Sequence, residues 1–243
     1  MNKQPFLYRD FDRVRRVVLA ALQQADEPYV LVTGETGTGK TALLRDLKAE
    51  LDRSRYRIFY FQEAQRLGAP GLVRLLAQSL RAGTSMYHAV SLDRVVQALG
   101  EESHRMLLWF DEAHNLSTET LTAARALVES DLDGQGRVQV MLVGLPRLRS
   151  DLQAQPHLWR RIGVREEILG LQLDEVGTLL EHHFGSAMQK RLCDRGLAAL
   201  FEHGKGTPGL MLPLAKRVFA AAPGKTKIEH EQVEDVLRRW NLA

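Results

Sequence analysis

The sequence predicts an α/β fold, in which a parallel five-stranded sheet flanked by helices is followed by a small all-helical unit. Two observations predict it. Short apolar or β-branched runs alternate with segments of helical spacing through the first two thirds of the chain, and only helical spacing remains after about Leu171. Alternating strands and helices favour a parallel sheet with right-handed crossovers.

Five runs predict the strands, because each is short, apolar and followed by turn or helix signals. They are Tyr29–Thr33, Arg57–Phe61, Met106–Phe110, Val138–Val143 and Val164–Leu169.

Amphipathic spacing predicts the helices. Before the boundary they are Phe11–Gln24, Lys40–Asp52, Gly71–Arg81, Leu92–Gly100 and Thr118–Ser130, and after it Asp174–Phe184, Met188–Glu202, Gly209–Ala221 and Glu229–Trp240. We therefore divide the chain into an α/β core of residues 1–170 and a helical domain of residues 171–243. The pattern leaves open whether Phe11–Gln24 packs on its own domain or on a neighbour.

Composition bounds the class of protein. The 243 residues are 44% hydrophobic and 26% charged, with a formal charge of +3 that permits a nucleic-acid partner without requiring one. Apolar runs such as Met106–Phe110 are far shorter than the roughly 20 residues of a membrane span, and the N-terminus lacks a signal peptide's apolar stretch. We expect a cytoplasmic protein with no membrane partner.

A glycine-rich segment directly after the first strand matches the phosphate-binding pattern GxxxxGK[ST]. Its residues are Gly34, Glu35, Thr36, Gly37, Thr38, Gly39, Lys40 and Thr41. Glycines let consecutive backbone N–H groups point at phosphates, and the following helix adds the positive end of its dipole. We expect Lys40 to reach the β- and γ-phosphates of ATP and Thr41 to bind Mg²⁺.

Two carboxylates follow the apolar strand Met106–Phe110, about 70 residues after the glycine-rich segment. This is the arrangement of a Walker B segment. Asp111 is expected to hold Mg²⁺, and Glu112 to activate the water that attacks the γ-phosphate. The sequence therefore predicts a P-loop ATPase.

Residues 111–114 spell DEAH, a signature also found in a helicase group. Those helicases need two tandem ATPase domains, and this chain has room for one, so we exclude that interpretation. His114 is interpreted as a loop residue near the site rather than as a catalytic group.

The order of motifs resembles AAA+ ATPases, and more narrowly the ExeA-like group, which includes transposon-encoded ATPases related to the target-selection subunits MuB and TnsC. The P-loop and Walker B segments are common to many ATPases. The segments VGLPRL at 143–148 and LWRRI at 158–162 narrow the group. The likeness extends from about Phe11 to Trp240.

The resemblance implies an arginine finger, a residue that reaches the γ-phosphate bound to a neighbouring subunit. By position it falls on Arg160 or Arg161, and we favour Arg161. The alternative is that these arginines pair with Glu166 or Glu167 or face solvent.

The chain departs from the family pattern at two sensor positions. Leu145 stands where a polar sensor 1 residue is common, and Gly209 stands where a nucleotide-sensing arginine is common. Either Lys205 or Lys216 could replace that arginine, and the sequence does not choose between them.

The resemblance further implies a homo-oligomer, ring or filament, that assembles on duplex DNA in its ATP form and recruits or activates a transposase. By family position Arg66 and Arg74 would contact DNA phosphates. The alternatives are an ExeA-type ATPase of secretion that acts on protein partners, and a loader-like nucleotide switch with slow hydrolysis. Since the sequence ends at Ala243 without the membrane and periplasmic segments expected of the secretion type, we expect the DNA-bound regulator.

Overall fold

The computed structural model describes residues 5–24, 27–62, 68–130 and 137–241. The chain forms two compact units. The sheet unit comprises residues 15–34 and 44–167, and the helical unit comprises residues up to 14, 35–43 and those from 168 onward. The P-loop residues 35–43 thus cluster with the C-terminal helices, whereas both Walker B carboxylates belong to the sheet unit.

Five strands form one sheet, as the sequence predicts. They are β1 (Tyr29–Gly34), β2 (Tyr56–Phe61), β3 (Arg105–Phe110), β4 (Val138–Gly144) and β5 (Ile162–Ile168). Their spatial order is β2-β3-β4-β1-β5. The observed bounds differ from the predicted ones by at most two residues at each end.

The register brings three strand ends to one edge of the sheet. The pairs β2 with β3, β3 with β4 and β4 with β1 are all parallel, with Leu31 opposite Leu142 and Leu108 opposite Val140. Because carboxyl ends of parallel strands meet at one edge, Gly34 and Asp111 lie on that edge with the end of β4 between them.

Within the described residues, seven helices accompany the strands. They are α1 (Arg9–Gln24), α2 (Lys40–Glu50), α3 (Gly68–Leu80), α4 (His88–Glu101), α5 (Thr118–Glu129), α6 (Arg147–Gln153) and α7 (Pro156–Trp159). Helices α6 and α7 are not predicted by the sequence pattern, because they are too short to show a hydrophobic period. Helix α3 packs on α4 and α5, and their apolar faces join the strands in one buried core.

Helix α1 packs on its own chain. Val18 and Leu22 are fully buried, and the Tyr56 hydroxyl donates a hydrogen bond to the Leu22 carbonyl at 3.0 Å. The sequence left open whether Phe11–Gln24 packs on its own domain or on a neighbour, and these contacts show packing within its own chain.

The C-terminal segment is helical, with one correction. After a 3₁₀ turn at Leu173–Glu175 come α8 (Val176–Phe184), α9 (Ser186–Gln189), α10 (Asp194–Gly204), α11 (Pro208–Ala221) and α12 (His230–Asn241). The single helix predicted over Met188–Glu202 is wrong, because Leu192 forms a β-bridge with Ile228 and breaks the helix in two. Across the described ranges, none of the helices combines the length and apolarity that a bilayer span requires.

Candidate nucleotide-binding site

The loop between β1 and α2 has the backbone that a phosphate cradle needs. Gly37 and Gly39 adopt φ values of +88° and +107°, which side-chain-bearing residues rarely reach. A Cβ on Gly39 would lie 3.4 Å from the Phe11 ring. The positive φ values, rather than a lack of space, are therefore the reason for glycine at position 39.

Two side chains of the loop fold back onto its own backbone. Thr38 Oγ1 and Lys40 Nζ donate hydrogen bonds to the Glu35 carbonyl at 2.9 and 3.0 Å. Thr38 is fully buried and Lys40 is only 7% exposed. Lys40 thus keeps its ammonium group, a donor that suits phosphate oxygens, beside the backbone of the loop. Thr41, the proposed Mg²⁺ ligand, is exposed on the first turn of α2.

The start of α11 touches the loop directly. The Gly209 N–H donates a hydrogen bond to the Gly37 carbonyl at 2.9 Å. A Cβ on Gly209 would lie 2.6 Å from Gly37 Cα. Glycine at the sensor 2 position thus has a packing reason, since an arginine there would collide with the P-loop backbone. Lys205 and Lys216 are both exposed, and Lys205 ends α10 in a left-handed conformation.

A cavity of about 240 Å³ lies beside the loop within the helical unit. Phe6 and His182 both line it and contact each other, with ring centroids 5.5 Å apart, and the Tyr8 hydroxyl donates to the Thr38 carbonyl at 2.6 Å. Its other lining residues are Pro5, Phe11, Gly39, Ala42, Leu179, His183, Pro208 and Leu212. This apolar and aromatic lining suits a planar base attached to phosphates held by the loop. Sequence reasoning missed the cavity, although the aromatic residues before α1 were a visible signal.

Asp111 lies directly after β3 and is 4% exposed. One carboxylate oxygen accepts from the Tyr60 hydroxyl at 2.8 Å and the other from the Glu112 N–H at 2.9 Å. Burial, together with the hydrogen bond to Asp111, raises the pKa of Tyr60, so that its hydroxyl remains a donor. Asp111 is thus a fixed, buried carboxylate.

Glu112 differs from its neighbour. Its side chain is 47% exposed, and its backbone has φ 51° and ψ 35°, a left-handed conformation unusual for glutamate. The strained backbone directs the chain from β3 into the 3₁₀ turn Ala113–Asn115. Glu112 is therefore the accessible carboxylate of the pair.

His114 is a buried part of this turn, with a side chain only 4% exposed. Its Nε2 lies 3.4 Å from Glu112 Oε2, and its Nδ1 accepts from the Leu145 N–H at 3.3 Å. The sequence predicts His114 to be a loop residue near the site, but it does not predict the contact with Leu145, because Leu145 is 31 positions away in the chain.

Arg161 directly precedes β5, and its side chain is 44% exposed. It forms an ion pair with Glu129 at 2.6 Å, and Glu129 also pairs with Arg125 at 2.8 Å. Glu129 is a partner that the sequence analysis did not predict for Arg161. Arg160 is exposed. Both predicted finger residues are thus accessible on the sheet unit.

Arg66 and Arg74 are the two residues predicted to contact DNA. Arg66 lies outside the described residues. Arg74 is exposed on α3. Its exposure leaves it accessible to a partner.

The donors present fit a nucleoside triphosphate with Mg²⁺. Phosphate oxygens would find the loop N–H groups and the ammonium of Lys40, and the Thr41 hydroxyl is a hard oxygen of the kind that Mg²⁺ prefers. Asp111, within the sheet unit, offers a carboxylate oxygen of the same kind. The left-handed glycines and the buried lysine are the structural features that support this fit.

A curated relative covers most of the chain. General secretion pathway protein A of Aeromonas hydrophila is 28% identical over 216 residues, which cover 84% of this chain. The match spans only 39% of that protein, so this chain corresponds to about two fifths of its length.

Two solved structures share the fold. Cdc6p from Pyrobaculum aerophilum superposes with a TM-score of 0.72 at 18% identity, over 98% of this chain and 69% of that one. The Aeropyrum pernix ORC1 protein in complex with DNA gives 0.63 at 18% identity, over 98% and 67%. At this identity the likeness shows the fold alone.

A family model described as AAA domain matches residues 23–152, more than half of the chain. Together with the P-loop and the sheet order, this match shows that the protein belongs to the AAA+ P-loop NTPases.

Proposed function

We propose that this protein hydrolyses ATP with Mg²⁺. The observation that carries the proposal is the contrast between its adjacent carboxylates. Asp111 is buried and fixed by two donors, which suits a residue that orients an ion, while Glu112 is half-exposed, which suits a base that must meet water.

The roles of the remaining site residues follow from their chemistry. The N–H groups of residues 34–41 and the ammonium of Lys40 would hold the phosphates, with Thr41 and Asp111 as the protein ligands of Mg²⁺. When bound, the ion would neutralise charge on the phosphate oxygens. Glu112 would take the proton of the attacking water.

Arg161 is proposed to complete the site of a neighbouring subunit, with Arg160 as the alternative. Its exposure supports this role. Its ion pair with Glu129 would keep the side chain ordered until an anion that binds it more strongly replaces Glu129. A site that needs a residue from a second copy couples hydrolysis to assembly into a ring or filament. The helices of residues 171–243 are proposed to act as a lid over the nucleotide.

Duplex DNA is the proposed macromolecular partner, with a transposase as the protein that the assembly recruits or activates. The DNA complex of the ORC1 protein supports this proposal at the level of the fold. In this chain Arg74 is exposed on α3, and the exposed Arg81 directly follows the end of that helix. Contacts of this kind would bind phosphates with little sequence preference.

A second candidate is an ATPase of secretion that acts on protein assemblies. The match to General secretion pathway protein A over 84% of this chain favours it. A loader-like switch with slow hydrolysis is the remaining alternative, and Leu145 at the sensor 1 position supports it.

The discriminating experiment measures ATP turnover and DNA binding together, over a salt series. We expect Glu112→Gln to bind ATP and DNA without turnover, and DNA binding to need ATP and to weaken steeply as salt rises. Arg74→Ala should weaken DNA binding, and Arg53→Ala, which removes an exposed arginine from the turn before β2, is the matched control.

Each outcome selects one function. Turnover that persists in Glu112→Gln would refute the assigned base. Normal turnover without DNA binding in either nucleotide state would refute the DNA proposal and favour the secretion-type ATPase. ATP-dependent DNA binding with negligible turnover would favour the switch.

A further inference from the structure

His114 joins two segments that lie far apart in the sequence. Its Nδ1 accepts the N–H of Leu145, the first residue after β4, and its Nε2 lies against the Glu112 carboxylate. The imidazole is almost fully buried, so its orientation is fixed by packing. His114 thereby connects the end of β4 to Glu112, whose backbone is left-handed.

The hydrogen bonds determine which tautomer is present. Because Nδ1 accepts from a backbone N–H, it carries no proton, and the proton of the neutral ring is on Nε2. Nε2 is then a donor that faces Glu112 Oε2 at 3.4 Å. Hydrogen bonds of catalytic groups are often long without substrate and shorten when it binds.

The close approach of the two segments depends on Gly144. A Cβ at this position would lie 3.0 Å from His114 Nδ1 and 3.3 Å from the His114 backbone nitrogen. A second link connects the same segments, since Arg147 donates to Asn115 Oδ1 at 3.1 Å. The turn that carries Glu112 is therefore built to rest on the end of β4.

We propose that His114 is a positioning residue for hydrolysis, which holds the Glu112 carboxylate at a fixed place relative to the end of β4. It acts through Glu112 and is not itself a base or a ligand of the nucleotide. The inference rests on the proposed function, since it presumes that Glu112 activates water.

Positioning matters here because Glu112 is otherwise weakly held. Its side chain is 47% exposed, and its neighbour Asp111 receives the Glu112 N–H rather than restraining the carboxylate. A base misplaced by about 1 Å can lose about 100-fold in rate. Loss of His114 should therefore lower kcat and leave nucleotide affinity unchanged.

Three substitutions separate the two contacts of the imidazole. In His114→Asn the amide oxygen can still accept the Leu145 N–H, but the side chain is too short to reach Glu112. In His114→Gln the amide nitrogen replaces Nε2 and can donate to Glu112. His114→Ala loses both contacts.

The measurement is the kcat and KM for ATP of each variant. We expect His114→Ala and His114→Asn to lower kcat about 10-fold to 100-fold with KM unchanged, and His114→Gln to recover most of the rate. Gly144→Ala should reproduce the loss by pushing the turn away from β4. His104→Ala is the matched control, because it removes another histidine–carboxylate contact, with Glu102, before the opposite end of β3.

Other outcomes overturn the inference. A wild-type kcat in His114→Ala excludes a positioning role. Equal losses in all three variants, with lowered melting temperatures, would mean that His114 only fills space. If Glu112→Gln hydrolyses ATP at the wild-type rate, the assigned base is wrong and this inference falls with it. If Glu112→Gln is inactive but the His114 variants are fully active, the positioning role of His114 is refuted and the proposed function stands.

Discussion

The P-loop and the turn after β3 both contain left-handed backbone, but they reach it differently. In the P-loop the positive φ values fall on Gly37 and Gly39, where no side chain is strained. In the turn after β3 the positive φ falls on Glu112. A non-glycine residue in this conformation costs about 1–2 kcal/mol.

The difference teaches which group does the chemistry in each turn. In the P-loop the backbone N–H groups are the functional groups, so side chains can be omitted where the backbone needs freedom. In the turn after β3 the carboxylate of Glu112 is the functional group, and the strain is retained because glycine would remove it. Substitutions that place glycine at Glu112, or a side chain at a P-loop glycine, test this comparison.

The largest effect is expected from Glu112→Gly. It should lower kcat by about 10²-fold to 10⁴-fold, since the general base is lost. It should also raise the free energy of unfolding by about 1 kcal/mol or less, because glycine relieves the left-handed strain. Steady-state turnover and urea denaturation measure the two changes.

Glu112→Gln is the matched control for that prediction. It retains the side chain and therefore the strain, so it should lose turnover without gaining stability. Equal stability of the two variants would show that the backbone at Glu112 is not strained.

The converse exchange, Gly37→Ala, should lower the free energy of unfolding by about 1–3 kcal/mol. It places a Cβ 3.2 Å from Gly209 Cα at a positive φ, so nucleotide affinity should fall as well. Isothermal titration with a non-hydrolysable ATP analogue measures the affinity. Gly224→Ala is the control for strain alone, because Gly224 has φ +71° and nothing within 4 Å of its Cβ position.

Gly209→Ala should have a smaller effect, because its φ is not positive and alanine favours a helix by about 0.5–1 kcal/mol over glycine. Against this gain, the new methyl group would lie 2.6 Å from Gly37 Cα and separate α11 from the loop. Because the contact is with backbone atoms, we expect a modestly lower melting temperature and a several-fold loss of ATP affinity. A variant with wild-type affinity would show that the contact between Gly209 and the P-loop is dispensable.

The smallest effect is expected from Tyr60→Phe. It removes the hydroxyl that donates to Asp111 at 2.8 Å. A hydrogen bond of this kind contributes about 0.5–1.5 kcal/mol, and the 40% exposure of Tyr60 favours the lower part of that range. Urea denaturation checks the prediction, and a loss above that range would mean that Asp111 depends on Tyr60 for its position.

The fold was predictable because its signals are local and strong. The strands β1, β3 and β4 are almost entirely buried, so each is a continuous apolar run that the sequence displays directly. The helix predicted over Met188–Glu202 was wrong because a pairing between Leu192 and Ile228 determines the break, and a pairing across 36 positions leaves no local pattern.

The site was predictable only where a motif is contiguous. The P-loop and the two carboxylates are each read from one short segment. The contacts of Arg161 with Glu129 and of His114 with Leu145, and the cavity that Phe6 and His182 line, join residues that only folding brings together. The assigned roles of these site residues remain predictions.

The hydrogen bond from Gly209 to Gly37 supplies a built-in reporter. Its donor is a backbone amide, so separation of α11 from the P-loop would expose one identified proton to exchange with solvent. The exchange rate of that single amide, followed by NMR with and without nucleotide, would measure how often the loop and the helix part.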